Sequence, residues 1–434
     1  VSATPRLSPW AVAATVAGNA LEFYDFLTYS FFAVYIGRAY FPGASAFASL
    51  LLSLATFGVG FFTRPLGAVL IGAYADRAGR RPAMVLTISL MTLGTLALVL
   101  TPPYAAIGIA APLILVAARL VQGLALGGEV GPSTAVLLEC APLHRRAALT
   151  SWQGASQGIA IFAAGACGVG LTLVLSPEQL GAWGWRLPFA LGLLIVPVGL
   201  FLRRRLPETL EAPGTHGGAQ VLAQLWREHR RSLGLGILVI MCLTISTYVN
   251  NYMTTYALTV LGMAASQSMW ATLVNGAAMV VGSLCGGRLA DRYGRRTVMI
   301  APRVLLMCAI VPAFLLLGGA KTPWMLGLVT ATLTVLSSLS AAAATTAVIE
   351  AFPNAVRGSG MAIAYAGAVS VFGGTTQFIV AWLIGVTGAP LAPAYYVIAT
   401  SIVGLWAMFR LPGPADARPR VPVAQAPAAS LIIE

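Results

Sequence analysis

The chain is short of charge. Asp, Glu, Lys and Arg make up 9% of its 434 residues, against about 25% in an ordinary soluble domain. With a hydrophobic fraction of 58%, that shortage excludes most soluble classes, and disorder, which needs low hydropathy, is excluded with them. Five cysteines are too few for a disulfide scaffold of this length. The single lysine, Lys321, follows Ala320 and not the glycine of a phosphate-binding loop, so no ATP site is visible. His144, His216 and His229 fall in polar connections, and no Cys-x-x-Cys or His/Glu pairing offers a metal site. What remains is an integral membrane protein, expected to use no cofactor or metal and to draw its energy from a gradient.

A spanning helix needs about 20 mostly apolar residues. Twelve stretches qualify, near 10–37, 46–73, 82–101, 106–139, 147–175, 186–202, 233–262, 266–289, 298–318, 323–351, 358–387 and 391–410. The first, with Arg6 before an Ala/Val-rich run, has the outline of a signal peptide, but Glu22 and Asp25 interrupt it and apolar residues continue past them. It reads as the first span. With the N-terminus in the cytoplasm, the basic connections all fall on the cytoplasmic side, from Arg77, Arg80 and Arg81 through Arg203, Arg204 and Arg205 to Arg410, and only Arg38, Arg186 and Lys321 lie opposite. This positive-inside bias predicts that both termini are cytoplasmic. It also accounts for the net charge of +13, so lipid, and not nucleic acid, is the expected surroundings.

Near 203–232 the apolar pattern stops, which divides the chain into halves at 1–202 and 233–411 around a cytoplasmic linker; the Pro/Ala-rich tail at 412–434 is predicted to be disordered. Internal repeats support the division. GAYADRAGRR (Gly72 to Arg81) recurs as GRLADRYGRR (Gly287 to Arg296), and Glu139, Pro142 and Arg146 recur with the same spacing as Glu350, Pro353 and Arg357. The fold class expected is all-α, with twelve transmembrane helices in two six-helix pseudo-repeats, an arrangement that puts a transport site near the midplane between the halves.

Through this loop motif the chain resembles the major facilitator superfamily over nearly its whole length. It resembles more narrowly the metabolite:proton symporter family, through GNALEFYDF, RPLGAVLIGAYADRAGRR, RLVQGLALGGE and WGWRLPF. Within that family, TSWQGASQGIAI, the Phe-Pro at 41–42 and AWGWRLPF look most like the citrate and tricarballylate proton symporters; TYVNNYMTTY in span seven and Pro132 depart from that branch. The resemblance implies a monomeric symporter of the bacterial inner membrane whose partners are protons and a small carboxylate.

Ionisable residues inside spans are expensive unless paired or facing a wet cavity. Glu22 and Asp25 lie near the middle of span one, on one helix face at i, i+3. Arg119 lies in span four, which also lines the cavity of a six-helix half. An Asp25–Arg119 pair is therefore expected: burial disfavours the carboxylate, the guanidinium favours it, and protonation frees Arg119 for a substrate carboxylate. The resemblance supports this, since related porters use a span-one acid with a span-four Arg. Glu129 is a second proton-site candidate, and Gly123, Gly127 and Gly131 beside it form a ridge for close helix packing. Arg64 either binds a second carboxylate or holds carbonyls freed around Pro65. Arg186 and Arg303 are expected to snorkel to the interface. Gln153 and Gln157 in span five, Thr247, Asn251 and Thr254 in span seven, and Gln377 in span eleven are candidates to bind substrate or to bond helices together.

At the cytoplasmic face, Asp76 and Arg80, Asp291 and Arg295, Glu139 with Arg146 and Glu350 with Arg357 are expected to latch the outward-open state. The combined expectation is an alternating-access importer, not an enzyme, that couples proton entry to uptake of citrate or a related tricarboxylate. The alternatives are a symporter of α-ketoglutarate, shikimate, proline or betaine in the same family and, more remotely, a channel or a non-transporting receptor.

Overall fold

The computed structural model describes residues 9–43, 45–78, 80–127, 142–193, 227–353 and 356–413, with only the backbone described at some of them, Asp76 and Arg80 included. All twelve expected spans begin or run within these residues, and every one is helical. Span one is Pro9–Phe31 continued by Ala33–Tyr40, span two Ala46–Phe62 with Arg64–Ala78, span three Arg80–Leu100 and span four Ala110–Leu126. Span five runs through Arg146–Thr150 and Trp152–Val174, and span six is described over 187–193. Spans seven to ten are Arg230–Thr259, Ala265–Tyr293, Arg295–Gly319 and Pro323–Glu350. Span eleven is Arg357–Ala368, a π-helical turn at Val369–Gly373 and Gly374–Thr387, and span twelve is Ala392–Arg410.

Eight of these helices are long and apolar enough to cross a membrane. Span one is not among them because Asn19, Glu22 and Asp25 lower its hydropathy. Local chemistry sets the ends. Ser45 Oγ accepts from the Ala48 amide, and Thr322 Oγ1 accepts from Met325 with Pro323 in the first turn. Between spans eight and nine the chain turns at Gly294, whose φ of 89° is the reason the DR-x-G-RR motif carries a glycine there.

Lipid tails are as apolar as leucine, so association of the spans depends on close packing and not on hydrophobic burial. Small residues therefore mark the contacts. Spans five and eight run side by side: a Cβ on Gly158 would lie 2.8 Å from the Val280 amide nitrogen, and one on Gly276 would collide with the Phe162 backbone. Spans two and eleven meet at Gly58 and Gly374, each within 2.7 Å of the other's carbonyl oxygen once a Cβ is added. Gly123 and Gly127 of span four press on Gly60 and Arg64 backbone in span two, so this part of the glycine ridge packs helices. Large apolar side chains such as Leu173, Leu305, Trp324 and Ile402 are exposed on the outside, while Asn19, Asp25, Arg119, Asn251 and Asn275 are buried inside. The chain is a multi-pass membrane protein.

Gly276→Val should force spans five and eight apart, an overpacking cost of about 1–3 kcal/mol. Gly170→Ala, where nothing lies within 4 Å, should be neutral. Thermal unfolding of the two variants in detergent, compared with the parent, checks the pair.

Candidate functional site

The polar interior begins at Asp25. Its Oδ2 accepts from Thr95 Oγ1 of span three at 3.2 Å, and Oδ1, which has no hydrogen-bond partner, lies where a Cβ on Gly192 of span six would collide with it. Arg119 is fully buried, with Nη1 donating to Gln122 Oε1 at 2.6 Å and Nη2 to the Phe26 carbonyl at 3.2 Å. Gln122 Nε2 donates in turn to Thr95 Oγ1 at 2.9 Å. The direct Asp25–Arg119 pair expected from the sequence is thus replaced by a line of hydrogen bonds, Arg119 to Gln122 to Thr95 to Asp25. The replacement has a physical reason: the guanidinium lies 4.0 Å from the ring centre of Tyr29 and 4.8 Å from that of Phe26, so its π faces as well as both Nη groups are engaged, with Nε left without a partner. Glu22 is buried on the same helix and has its own interaction.

Between the halves lies a cavity of about 120 Å³. Span one contributes Phe23 and Leu27, span five Gln153, Gly154 and Gln157, span seven Thr244, Thr247, Tyr248 and Asn251, and spans eight, ten and eleven Ser283, Ser338, Tyr365 and Val369. Three expected substrate contacts, Gln153, Gln157 and Asn251, are therefore on the wall. Gln377 is not; its Nε2 reaches the Tyr248 carbonyl at 3.4 Å. Thr254 also leaves the wall, paired with Thr272 at 2.6 Å. Asn251 is held from behind, since Asn275 Nδ2 donates to its Oδ1 at 2.8 Å and Thr334 Oγ1 donates to Asn275 Oδ1 at 2.7 Å. That leaves Asn251 Nδ2 without a partner.

Among the described residues no charged side chain lines this cavity, so neither Arg64 nor Arg119 touches it. Arg64 lies one layer behind the wall. Its guanidinium is 4.5 Å from the Phe26 ring centre and 4.1 Å from that of Phe61, Nε and Nη2 have no partner, and the wall tyrosines Tyr248 and Tyr365 interact with it. Arg303 corrects another expectation. It does not snorkel but is fully buried in span nine, with Nη1 donating to Ser246 Oγ at 2.6 Å. Span nine packs along spans ten and twelve, and Arg303 is turned to this covered side, where it reaches Ser246 of span seven. Arg186 stays at the far end, stacked 4.2 Å over Trp185 and donating to Tyr40 and the Thr101 carbonyl.

The end of the bundle that carries the loop motifs is joined by charge. Asp291 of span eight accepts from the Ala147 and Ala148 amides, at 3.1 and 2.8 Å, at the N-terminal start of span five, where the helix dipole favours an anion. Arg295 bridges Asp291 at 2.9 Å and Glu350 at 3.3 Å, and Arg146 approaches Glu350 at 4.0 Å. Thr150 and Thr346 share a 2.6 Å hydrogen bond beside them. Arg357 is buried and has its own interaction. The side chains of Asp76 and Arg80 lie outside what is described, as do residues Glu129 and Glu139, the linker from 203 to 226, and the tail from 414.

Gln122, at i+3 from Arg119, shares its helix face and was readable as a partner on spacing alone. Thr95, Tyr248, Tyr365, Asn275 and Thr334 carry no such signal. Their roles depend on which spans are neighbours, and a single chain does not state that.

A twelve-span bundle with a central polar cavity and a cluster of ion pairs at one end is the architecture of a secondary transporter. The chain belongs to the Major Facilitator Superfamily, whose family model matches residues 15–368 and 237–432. It is 38% identical to a citrate-proton symporter of Klebsiella pneumoniae over 92% of this chain and 90% of that one. It is 33% identical to the alpha-ketoglutarate permease of Escherichia coli K12, covering 93% of each. In three dimensions it is similar to the partially occluded inward open conformation of the xylose transporter XylE from E. coli, with a TM-score of 0.73, 16% identity and 94% and 98% of the two chains covered. It is a transporter and not an enzyme.

Glu350 is buried and its two arginine partners are largely covered, so removing its charge leaves theirs without a partner and should raise the open population by about tenfold or more. Glu350→Gln is therefore expected to raise maleimide labelling of a Thr345→Cys reporter on the cavity wall by about that factor. Site-resolved mass spectrometry reads the labelling.

Proposed function

We propose that the protein is a proton-coupled symporter that imports citrate or a related tricarboxylate by alternating access. The observation that carries this reading is a carboxyl group, Asp25, buried in the first span and tied to a buried cation through two neutral side chains. A carboxyl in that setting can hold or release one proton, with the buried cation beside it offsetting the charge of the ionised form. The identity of 38% to a citrate-proton symporter over nearly the full length supports the substrate class.

On this reading the chain sits in the bacterial inner membrane as a monomer with both termini cytoplasmic, its halves 1–202 and 233–411 joined by the 203–232 linker. Asp25 is the proton site, with Glu22 beside it and Glu129 as a second candidate. Arg119 stabilises the charged carboxylate. The cavity takes the substrate. Gln153, Gln157 and Asn251 offer hydrogen bonds to hydroxyl and carboxylate oxygens, and Gln377 backs Tyr248. Arg64, with two N–H groups free behind Tyr248 and Tyr365, supplies the positive charge the wall lacks once those rings part. The Asp291, Arg295, Glu350 and Arg146 cluster, with Asp76, Arg80, Glu139 and Arg357, latches the cytoplasmic end while the other end opens. A multivalent anion crossing with too few protons works against the membrane potential by about 2.3 kcal/mol per net charge per 100 mV, which gives the proton site its energetic role.

Proteoliposomes under an imposed pH gradient test the reading. Labelled citrate should accumulate, and accumulation of betaine or sugar alone would sink it. Asp25→Asn should abolish accumulation while citrate counterflow partly survives, and undiminished accumulation by that variant refutes the proton-site assignment. Arg64→Gln should raise KM for citrate about tenfold or more, as loss of a charge-assisted contact to a carboxylate requires. Its kcat should change less.

A further inference from the structure

We infer that Thr95 is the positioning residue that lets Asp25 gain and lose its proton without disturbing Arg119, with Gln122 fixing the direction of the hydrogen bonds between them. The inference rests on Asp25 being the proton site, as proposed above.

The direction follows from one fact of chemistry. A guanidinium has donors only, so the 2.6 Å contact from Arg119 Nη1 requires Gln122 to turn its Oε1 there. The amide must then present Nε2 to Thr95 Oγ1, at 2.9 Å, and that bond takes one lone pair of the hydroxyl. What the hydroxyl has left is one hydrogen and one lone pair. The hydrogen has two acceptors in reach, Asp25 Oδ2 at 3.2 Å and the Met91 carbonyl at 3.0 Å.

These remainders match the two states of a carboxyl group. Facing a carboxylate, the Thr95 hydrogen turns to Oδ2. When a hydronium ion gives up its proton and leaves as water, forming an O–H bond on Oδ2, that O–H donates to the free lone pair, and the Thr95 hydrogen swings to the Met91 carbonyl. Every polar group of Thr95 and Gln122 is paired in both states. The change is one hydroxyl rotation, Thr95 neither gains nor loses a proton, and the Arg119 contacts to Gln122 and the Phe26 carbonyl persist. A direct ion pair would instead strand a buried guanidinium at each protonation. The charged and titratable neighbours of Asp25 are Glu22 and Tyr24 on its own helix and Arg119 on span four, with Cys167 of span five beyond Tyr24. Tyr24 donates to the Pro188 carbonyl and Arg119 to Gln122 and the Phe26 carbonyl, so the hydrogen bond to the carboxyl group that reaches the Arg119 line comes from Thr95.

The test separates accumulation from exchange in proteoliposomes. Thr95→Val keeps the shape and removes the hydroxyl. It should cut pH-driven citrate accumulation about tenfold or more while counterflow at equal pH falls by no more than about threefold, and Thr95→Ser should restore accumulation. Gln122→Met, which removes the amide at similar length, should show the same split. Accumulation by Thr95→Val at the parent level, or failure of Thr95→Ser to rescue it, overturns the inference. If neither Thr95→Val nor Gln122→Met folds, infrared difference spectra of the parent across pH decide the matter. A carboxyl band that is absent in Asp25→Asn should appear with no shift of the guanidinium bands, and a concerted guanidinium shift overturns the inference. Accumulation by Asp25→Asn would instead remove the proton-site reading itself, a distinct outcome.

Discussion

A guanidinium held among apolar helices must replace its lost hydration with neighbours, and, apart from Arg357 at the start of span eleven, the interior of this protein does so in three different ways. Arg64, Arg119 and Arg303 are all buried, and each solves the problem differently. Arg119 has two hydrogen-bond acceptors and an aromatic cage. Arg64 has aromatic faces with two N–H groups left over. Arg303 has a single serine hydroxyl. Phe26 serves both Arg64 and Arg119, and so ties span two to span four through a ring on span one. The aromatic run of span one is therefore electrostatic in purpose as much as it is packing.

Much of this was legible in the sequence. Apolar run length located every span, and the doubled motifs located the charged cluster at one end: Asp291, Arg295 and Glu350 meet because the motif places two of them at i, i+4 and the repeat places the third at the end of span ten. The intramembrane acids and arginines stood out because they are rare in such segments. The partners of those residues were less readable. A guanidinium and a carboxylate within one half suggest a pair, but neutral Gln122 and Thr95 intervene, and neutral polar residues are too common along the chain to be singled out. Arg303 misled for the same reason. A basic residue near a span end reads as a snorkelling side chain unless the neighbouring helices that cover it are known.

The charges are unevenly shared. Spans seven to twelve contain no carboxylate except Asp291 and Glu350 in the charged cluster at one end, whereas span one holds Glu22 and Asp25. The first half thus carries the titratable group and the second the hydrogen-bonding wall built on Asn251, Asn275 and Thr334. Duplication supplied the frame and the loop motif twice, and the polar groups were divided between the copies. In the proposed cycle, proton and substrate would meet across that divide at Tyr248, which belongs to the second half but packs on Phe57 and Phe61 of the first.

The π turn of span eleven acts at this seam. A turn of that kind holds an extra residue, so the helix after it is rotated relative to the helix before it. Tyr365 and Val369 look onto the cavity, while Gly374, just past the turn, lies against Gly58. An uninterrupted α-helix would carry one set of faces along its whole length. With the extra residue, span eleven is in effect two rods clamped in different phases, so the stretch that faces the cavity and the stretch that docks on span two need not share a face.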